Sequence, residues 1–169
     1  MVQYWLPFVY EKNPVRSFDE LTGFSRVFYN QLLNKQPLCA MTIFSKIIAG
    51  QIPSYKIAES EKFFAFLDIM PLVKGHTLVI PKIEVDKIFD LPDDYLGEML
   101  VFAKTIARAI EQSFNCNRCG ISVVGLEVPH AHIHLVPINT ADDLNFGRPK
   151  LKLSQDEFIE IQNKIRSLI

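Results

Sequence analysis

Three of the chain's four histidines stand in one run, His130-Ala131-His132-Ile133-His134-Leu135-Val136-Pro137. In an extended strand alternate side chains point to the same face. The three imidazoles would then share a face at intervals of about 6.5 Å. Ala131, Ile133 and Leu135 would point the other way, into a core. The pattern predicts a half-buried strand with an exposed face of histidines. Chance placement at period two is improbable in a chain with so few histidines.

Such a cluster has three chemical readings. Imidazole is a common ligand, and histidines on one face can hold Zn²⁺ when a carboxylate or water completes the set. An imidazole of pKa ~6.5 is about three-quarters neutral at pH 7, so its lone pair can attack phosphorus without a strong base. A flanking carbonyl or histidine then decides which nitrogen carries the proton. The third reading is structural, with the histidines simply hydrogen-bonded at a surface. Residue types and spacing do not separate metal binding from nucleophilic catalysis, and both stand ahead of the structural reading.

The run fits the pattern His-φ-His-φ-His-φ-φ, with φ apolar, at all seven positions, closing on Leu135 and Val136. Upstream come Ile43-Phe44-Ser45-Lys46-Ile47-Ile48, then Ile52-Pro53, then Ala65-Phe66-Leu67-Asp68-Ile69. Gly75-His76-Thr77-Leu78-Val79-Ile80-Pro81-Lys82 follows them. These spaced segments resemble the histidine triad (HIT) family over about residues 41 to 138. The similarity is nearest to its nucleotide-binding branch.

The resemblance implies an enzyme that cleaves nucleoside phosphoramidates or related nucleotidyl substrates at the α-phosphate. By that match His132 is the nucleophile and forms a nucleotidyl-histidine. His130 orients it through its backbone carbonyl, His134 meets phosphate oxygens or supports the ring, and His76 completes the network behind. Asp68 falls on the position that binds the ribose diol, and Phe44, Ile47 and Phe66 on apolar walls around a purine. Taken alone, Asp68 before Pro71 is also a plausible turn aspartate, and the three apolar residues read more simply as core. No cofactor and no metal is implied. A purine nucleotide is the implied partner, and a homodimer joined through the long helix and the 120–124 strand is the implied assembly. Two rival activities are dinucleoside polyphosphate hydrolysis and nucleotide binding with little turnover.

The chain departs from the family at three places. Thr42 and Ser45 stand where many members carry a Cys-x-x-Cys zinc pair. The segment Gly125 to Pro129 is shorter than the usual loop and lacks an asparagine and a serine that contact phosphate and leaving group. Cys116-Asn117-Arg118-Cys119 is a C-x-x-C without a partner pair, which favours two ordinary thiols over zinc or redox chemistry.

The elements that must position these residues follow from period and punctuation. A short helix is predicted from Ile43 to Ala49, stopped by Gly50 and Pro53. Strands are predicted at Tyr55–Glu59, Phe63–Leu67, Thr77–Pro81, Gly120–Val124 and His132–Ile138. A long helix opens at Pro92 and runs to about Gln112, with a stripe of Leu96, Met99, Leu100, Ala103, Ile106, Ala107 and Ile110. Ser154 and Glu157 form a capping box for a C-terminal helix ending near Ser167. Hairpin strands with helices set apart predict an α+β fold around a five-stranded antiparallel sheet, the HIT-like fold that the resemblance also implies.

Composition bounds the rest. At 169 residues, 49% hydrophobic and 22% charged, the chain suits one globular domain. A net charge of −1 argues against a broad nucleic-acid or membrane surface. No apolar run approaches the roughly 18 residues of a membrane span. Three cysteines, Cys39, Cys116 and Cys119, are too few for a disulfide scaffold and point to the cytoplasm. Residues 1–40 hold eight of the nineteen aromatics and the one tryptophan, Trp5, without a clear period. They are expected to be an extension, with Met41 as the natural start. The domain itself is expected at 41–138, with a loop and helix at 139–169.

Overall fold

The computed structural model describes residues 41–169, and the expectation for 1–40 lies outside the described residues. Helix α1, Ile43–Ile48, starts where the Thr42 side chain accepts from the Ser45 N–H at 3.1 Å. That satisfies one of the orphan donors of its first turn. It ends at Ala49, and Gly50 follows at φ 70°, a left-handed conformation natural to glycine. Strands β1 (Lys56–Glu59) and β2 (Phe63–Leu67) form a hairpin, with the Ser60 hydroxyl accepting from the Phe63 N–H across the turn. Strand β3 is Thr77–Pro81, as predicted. Then come helix α2 (Asp93–Ser113), strand β4 (Arg118–Ser122), strand β5 (Ile133–Ile138) and helix α3 (Gln155–Arg166). The Ser154–Glu157 capping box opens α3 as expected.

The five strands lie in the order β1-β2-β3-β5-β4, and every neighbouring pair is antiparallel. The α+β fold with an antiparallel sheet is therefore the one the chain adopts. All residues of β2 and β3 are buried, because both faces of the sheet are covered at its centre. Phe63, Ala65, Leu67, Val79, Ile133 and Leu135 face α2 and α3 and join Met99, Ala103, Ile106, Ile110, Phe158 and Ile161 in the main core. Phe64, Phe66, Leu78 and Ile80 turn to the opposite face, where α1 brings Phe44 and Ile47. Fully burying one such side chain is worth ~1.5–3 kcal/mol, so both clusters stabilise the sheet.

Two strand boundaries and one helix face differ most from the sequence reading. Strand β5 starts at Ile133, so His130 and His132 precede the ladder although they keep the alternation of faces. Strand β4 lies two residues earlier than expected, because its partner begins only at Ile133. The ladder ends with Ser122 paired to His134, and Val123 and Val124 lie beyond it. Their β-branched side chains suggest a strand, but a strand also needs a neighbour. In α2, Leu100 is 47% exposed and Ala109 takes part in the buried stripe instead. Leu100 stands about 100° round the helix from Met99 and so leaves the core face. Among the described residues no helix is long and apolar enough to cross a membrane.

Candidate active site

The four histidines converge at the centre of the sheet, on the face that carries α1. Their exposures are 0% for His130, 2% for His76, 6% for His132 and 7% for His134. The expected exposed face of histidines is thus buried. The cover comes from segments remote in sequence: Phe44 of α1 packs edge-on to His132 and His130, and Phe146 packs edge-on to His134. His76 enters from the turn before β3, where Gly75 has φ 93° and a Cβ would run into the Phe114 ring. Glycine is required there twice over, for its dihedral and for the close approach.

Buried imidazoles must have their nitrogens paired, and the partners assign each tautomer. His132 Nδ1 lies 2.6 Å from the backbone carbonyl of His130. A carbonyl only accepts, so Nδ1 carries the proton and Nε2 keeps its lone pair. His130 Nε2 lies 2.9 Å from the Pro81 carbonyl and is therefore the N–H of that ring. Its Nδ1 meets the Thr42 hydroxyl at 3.0 Å. The Leu72 N–H donates to His76 Nδ1 at 3.2 Å, so His76 donates from Nε2 to His134 Nδ1 at 2.9 Å. His134 is left with an Nε2–H. Asp68 Oδ2 also stands 3.5 Å from His76 Nδ1, an acceptor facing an acceptor. The shorter Leu72 contact decides where the proton lies.

Burial favours the neutral form of His76, His130 and His134. It is the main reason that His76 and His134 are pushed down to about 3 from the ordinary 6.5. Lys150 and His132 lower His76 further, and His76 and His132 lower His134. His130 is lowered too, chiefly by burial, against a smaller upward pull from its bond to Pro81.

Phe44, Ile47 and Phe66 cluster beside His130 and His132, and Asp68 lies beside His76 and His134. Phe44 sits 5.5 Å from Phe66, ring centre to ring centre, and 5.3 Å from His132. Ile47 belongs to the same cluster. The plainer reading of these three as core is realised, and the core in question borders the proposed nucleophile. Asp68 follows directly on β2, and its Oδ1 accepts from the Met70 N–H at 2.8 Å. One oxygen therefore serves the turn, as turn statistics suggest, and the other points toward His76.

Sequence reasoning missed three residues that touch or influence the cluster: Thr42, Phe146 and Lys150. The signal for Thr42 was its place before a helix, read only as a missing zinc ligand. Phe146 is the one aromatic in the polar stretch from Asn139 to Lys150. Lys150 anchors that stretch, donating to the Phe146 carbonyl at 2.9 Å with its ammonium 5.2 Å from the ring centre. Metal-ligating atoms also gather here. Asp68, His76 and His134 offer atoms within 4.8 Å of one another. A cation among them would have to displace the His76–His134 hydrogen bond, so the donor set fits a proton network better than a metal. Cys116 and Cys119 are free thiols outside this cluster, and burial pushes Cys119 up to about 12. That suits ordinary thiols rather than a reactive pair.

An antiparallel sheet with a buried histidine cluster at the start of one central strand defines the histidine triad class. The HIT domain profile matches residues 49–141, more than half of the chain, and the chain belongs to that family. It is 41% identical over 101 residues to adenosine 5'-monophosphoramidase HNT1 of Saccharomyces cerevisiae, a match covering 59% of this chain and 64% of that protein. It is 32% identical over 137 residues to the protein of the same name from Candida albicans, covering 75% of this chain and 90% of that one. Among solved structures, a Hit-like protein involved in cell-cycle regulation from Bartonella henselae superposes with a TM-score of 0.67. That pair is 28% identical over 79% of this chain and all of the other.

Proposed function

We propose that this chain hydrolyses nucleoside phosphoramidates through a nucleotidyl intermediate on His132. One observation carries the reading: the His132 Nδ1–H is committed to the His130 carbonyl at 2.6 Å, which in the neutral ring puts the lone pair on Nε2. Nε2 attacks the α-phosphorus, a phosphorus–nitrogen bond to His132 forms, and the bond to the leaving amine breaks. The amine takes up a proton as it departs. The imidazole ring gains positive charge in this step, and its Nδ1–H bond to the carbonyl becomes charge-assisted and stronger. Water then attacks phosphorus, releases the nucleoside monophosphate and returns the electron pair to Nε2. His134 offers its Nε2–H to phosphate oxygens, which is stabilisation by a fixed donor rather than by a cation. The names of the yeast relatives support this substrate class.

Phe44, Ile47 and Phe66 form the wall for a purine, and the partly exposed carboxylate of Asp68 accepts from the ribose diol. A homodimer is supported by the edge of β4, which has no strand beside it among the described residues, and by the half-exposed Ile121 on that strand and Leu100 and Val101 on α2. Pairing two β4 edges would satisfy backbone groups that face water in a single copy. The scarcity of cysteine and the free thiols support a cytoplasmic site of action.

Turnover of an adenosine phosphoramidate and of a diadenosine polyphosphate, with calorimetry of AMP binding, tests the reading. Release of AMP from the phosphoramidate at the higher kcat/KM supports it. Faster cleavage of the polyphosphate, or AMP binding without turnover, contradicts it.

A further inference from the structure

We infer that Thr42 is a positioning residue that acts on His132 through His130, an inference resting on the role of His132 proposed above. His130 is fully buried, and each ring nitrogen has one partner, the Pro81 carbonyl at Nε2 and the Thr42 hydroxyl at Nδ1. Because the Pro81 carbonyl can only accept, Nδ1 is a bare lone pair and needs a donor. The Thr42 O–H supplies it. A hydroxyl has one proton to give and two lone pairs to offer. Here Thr42 Oγ1 accepts from the Ser45 N–H at 3.1 Å and meets Ser45 Oγ, which can donate to it, at 3.0 Å. With its acceptor sites taken, the Thr42 proton has His130 Nδ1 as its destination.

The consequence reaches the nucleophile. His130 is held at opposite ends of its ring, so the ring cannot turn and its backbone is fixed between two anchors. Its carbonyl is the group that receives the His132 Nδ1–H. If that carbonyl moves, the proton of His132 is free to sit on either nitrogen, and the lone pair at Nε2 is present for only part of the time. Thr42 also opens the helix that carries Phe44 against His132. One side chain thus ties the start of α1 to the orientation of the triad.

The competing role for Thr42 is that of a helix cap alone. The two roles use different halves of the hydroxyl. Capping uses the oxygen as an acceptor, whereas His130 uses the hydrogen as a donor. Thr42→Ser keeps both. Thr42→Asp keeps a good cap and loses the donor, since a carboxylate only accepts. Thr42→Val loses both. Steady-state kinetics on an adenosine phosphoramidate are measured for the three full-length variants, with circular dichroism as the check on folding. In parallel, ¹⁵N NMR of histidine-labelled protein reports which nitrogens of His130 and His132 are protonated.

The expected result is a kcat lowered about tenfold to a hundredfold in Thr42→Asp and Thr42→Val, the scale of a small misplacement of a reacting group, with KM nearly unchanged. Thr42→Ser retains kcat. The His132 nitrogens are expected to show a proton on Nδ1 in the wild type and in Thr42→Ser, and to move toward averaged values in the other two. If Thr42→Val does not fold, the Asp and Ser variants make the same comparison. Wild-type kcat and unchanged His132 nitrogens in Thr42→Asp would overturn the inference and leave Thr42 as a cap. So would a fall in kcat without any change at His132. Altered His132 nitrogens with undiminished turnover would support the positioning and count instead against His132 as nucleophile.

Discussion

The two histidine pairs of the cluster are held in different ways. His130 and His132 are bonded to two backbone carbonyls and a hydroxyl, none of which changes charge between pH 3 and 9. His76 and His134 are bonded to each other, with Asp68 on one side and the Lys150 charge acting on both. The first pair is built to keep each ring turned one way, with one N–H committed to a backbone carbonyl. The second is held neutral by burial, and only in strong acid would a protonated His76 offer an Nδ1–H to Asp68. The contrast suggests a division of labour. Orientation of the proposed nucleophile rests on fixed dipoles, and the donor beside the phosphate rests on a pair that burial keeps uncharged.

The most severe way to break this division is at the nucleophile. His132→Asn keeps a polar side chain of similar size and has no nucleophilic nitrogen. Turnover is expected to fall by at least about three orders of magnitude, since covalent catalysis is lost outright. AMP binding by calorimetry is expected to survive. Near-normal turnover would move the chemistry to another residue. His76→Ala should lower turnover much less, because it supports His134 and touches no reacting atom.

Acid should cost the fold stability through the second pair. His76 and His134 lie near 3 in the folded chain against about 6.5 when unfolded, so the unfolded chain binds more protons between those values. Their contribution to stability is fully present above pH 6.5 and is lost as the pH falls toward 3. Denaturant unfolding should show stability declining by up to ~1.4 kcal/mol per pH unit for each histidine in that window. A flat profile from pH 7 to 4 would show that the two rings are not held neutral by burial.

Asp68→Asn should weaken ribonucleotide binding by ~1–3 kcal/mol, the scale of lost hydrogen bonds to a charged group. The loss should be much smaller for 2′,3′-dideoxy ligands, and equal losses would remove Asp68 from the diol. The smallest effect is expected from Lys150→Met. Its charge is second only to burial in lowering His76 and is the weakest of the influences on His134. An NMR titration should show both rings rising, His76 more than His134.

Much of this arrangement is legible in the residues themselves, for a physical reason. Phe63–Leu67 and Thr77–Pro81 are continuous apolar runs because both sheet faces are covered, and their ends are where the sequence suggests. The grouping of His76 with the triad, and of Asp68 with both, follows from a spaced pattern that the fold brings together. Burial of the histidine face was not legible, since the covering side chains, Phe44 and Phe146, come from segments about a hundred residues apart. The shift of β4 was hidden for a related reason: where a strand stops depends on where its partner begins. Thr42 looked like an absent zinc ligand because a hydroxyl's second bond, to a ring 88 positions away, leaves no trace in local sequence.

The central claim is that His132 Nε2 makes the bond to phosphorus. Rapid quench of the wild-type protein with a phosphoramidate labelled at the α-phosphate, followed by peptide mapping, tests it most directly. The account predicts an acid-labile, base-stable adduct on the peptide that contains His132, formed and lost at rates compatible with turnover. An adduct on any other residue, or turnover at full rate with no adduct trapped at any time, would contradict it.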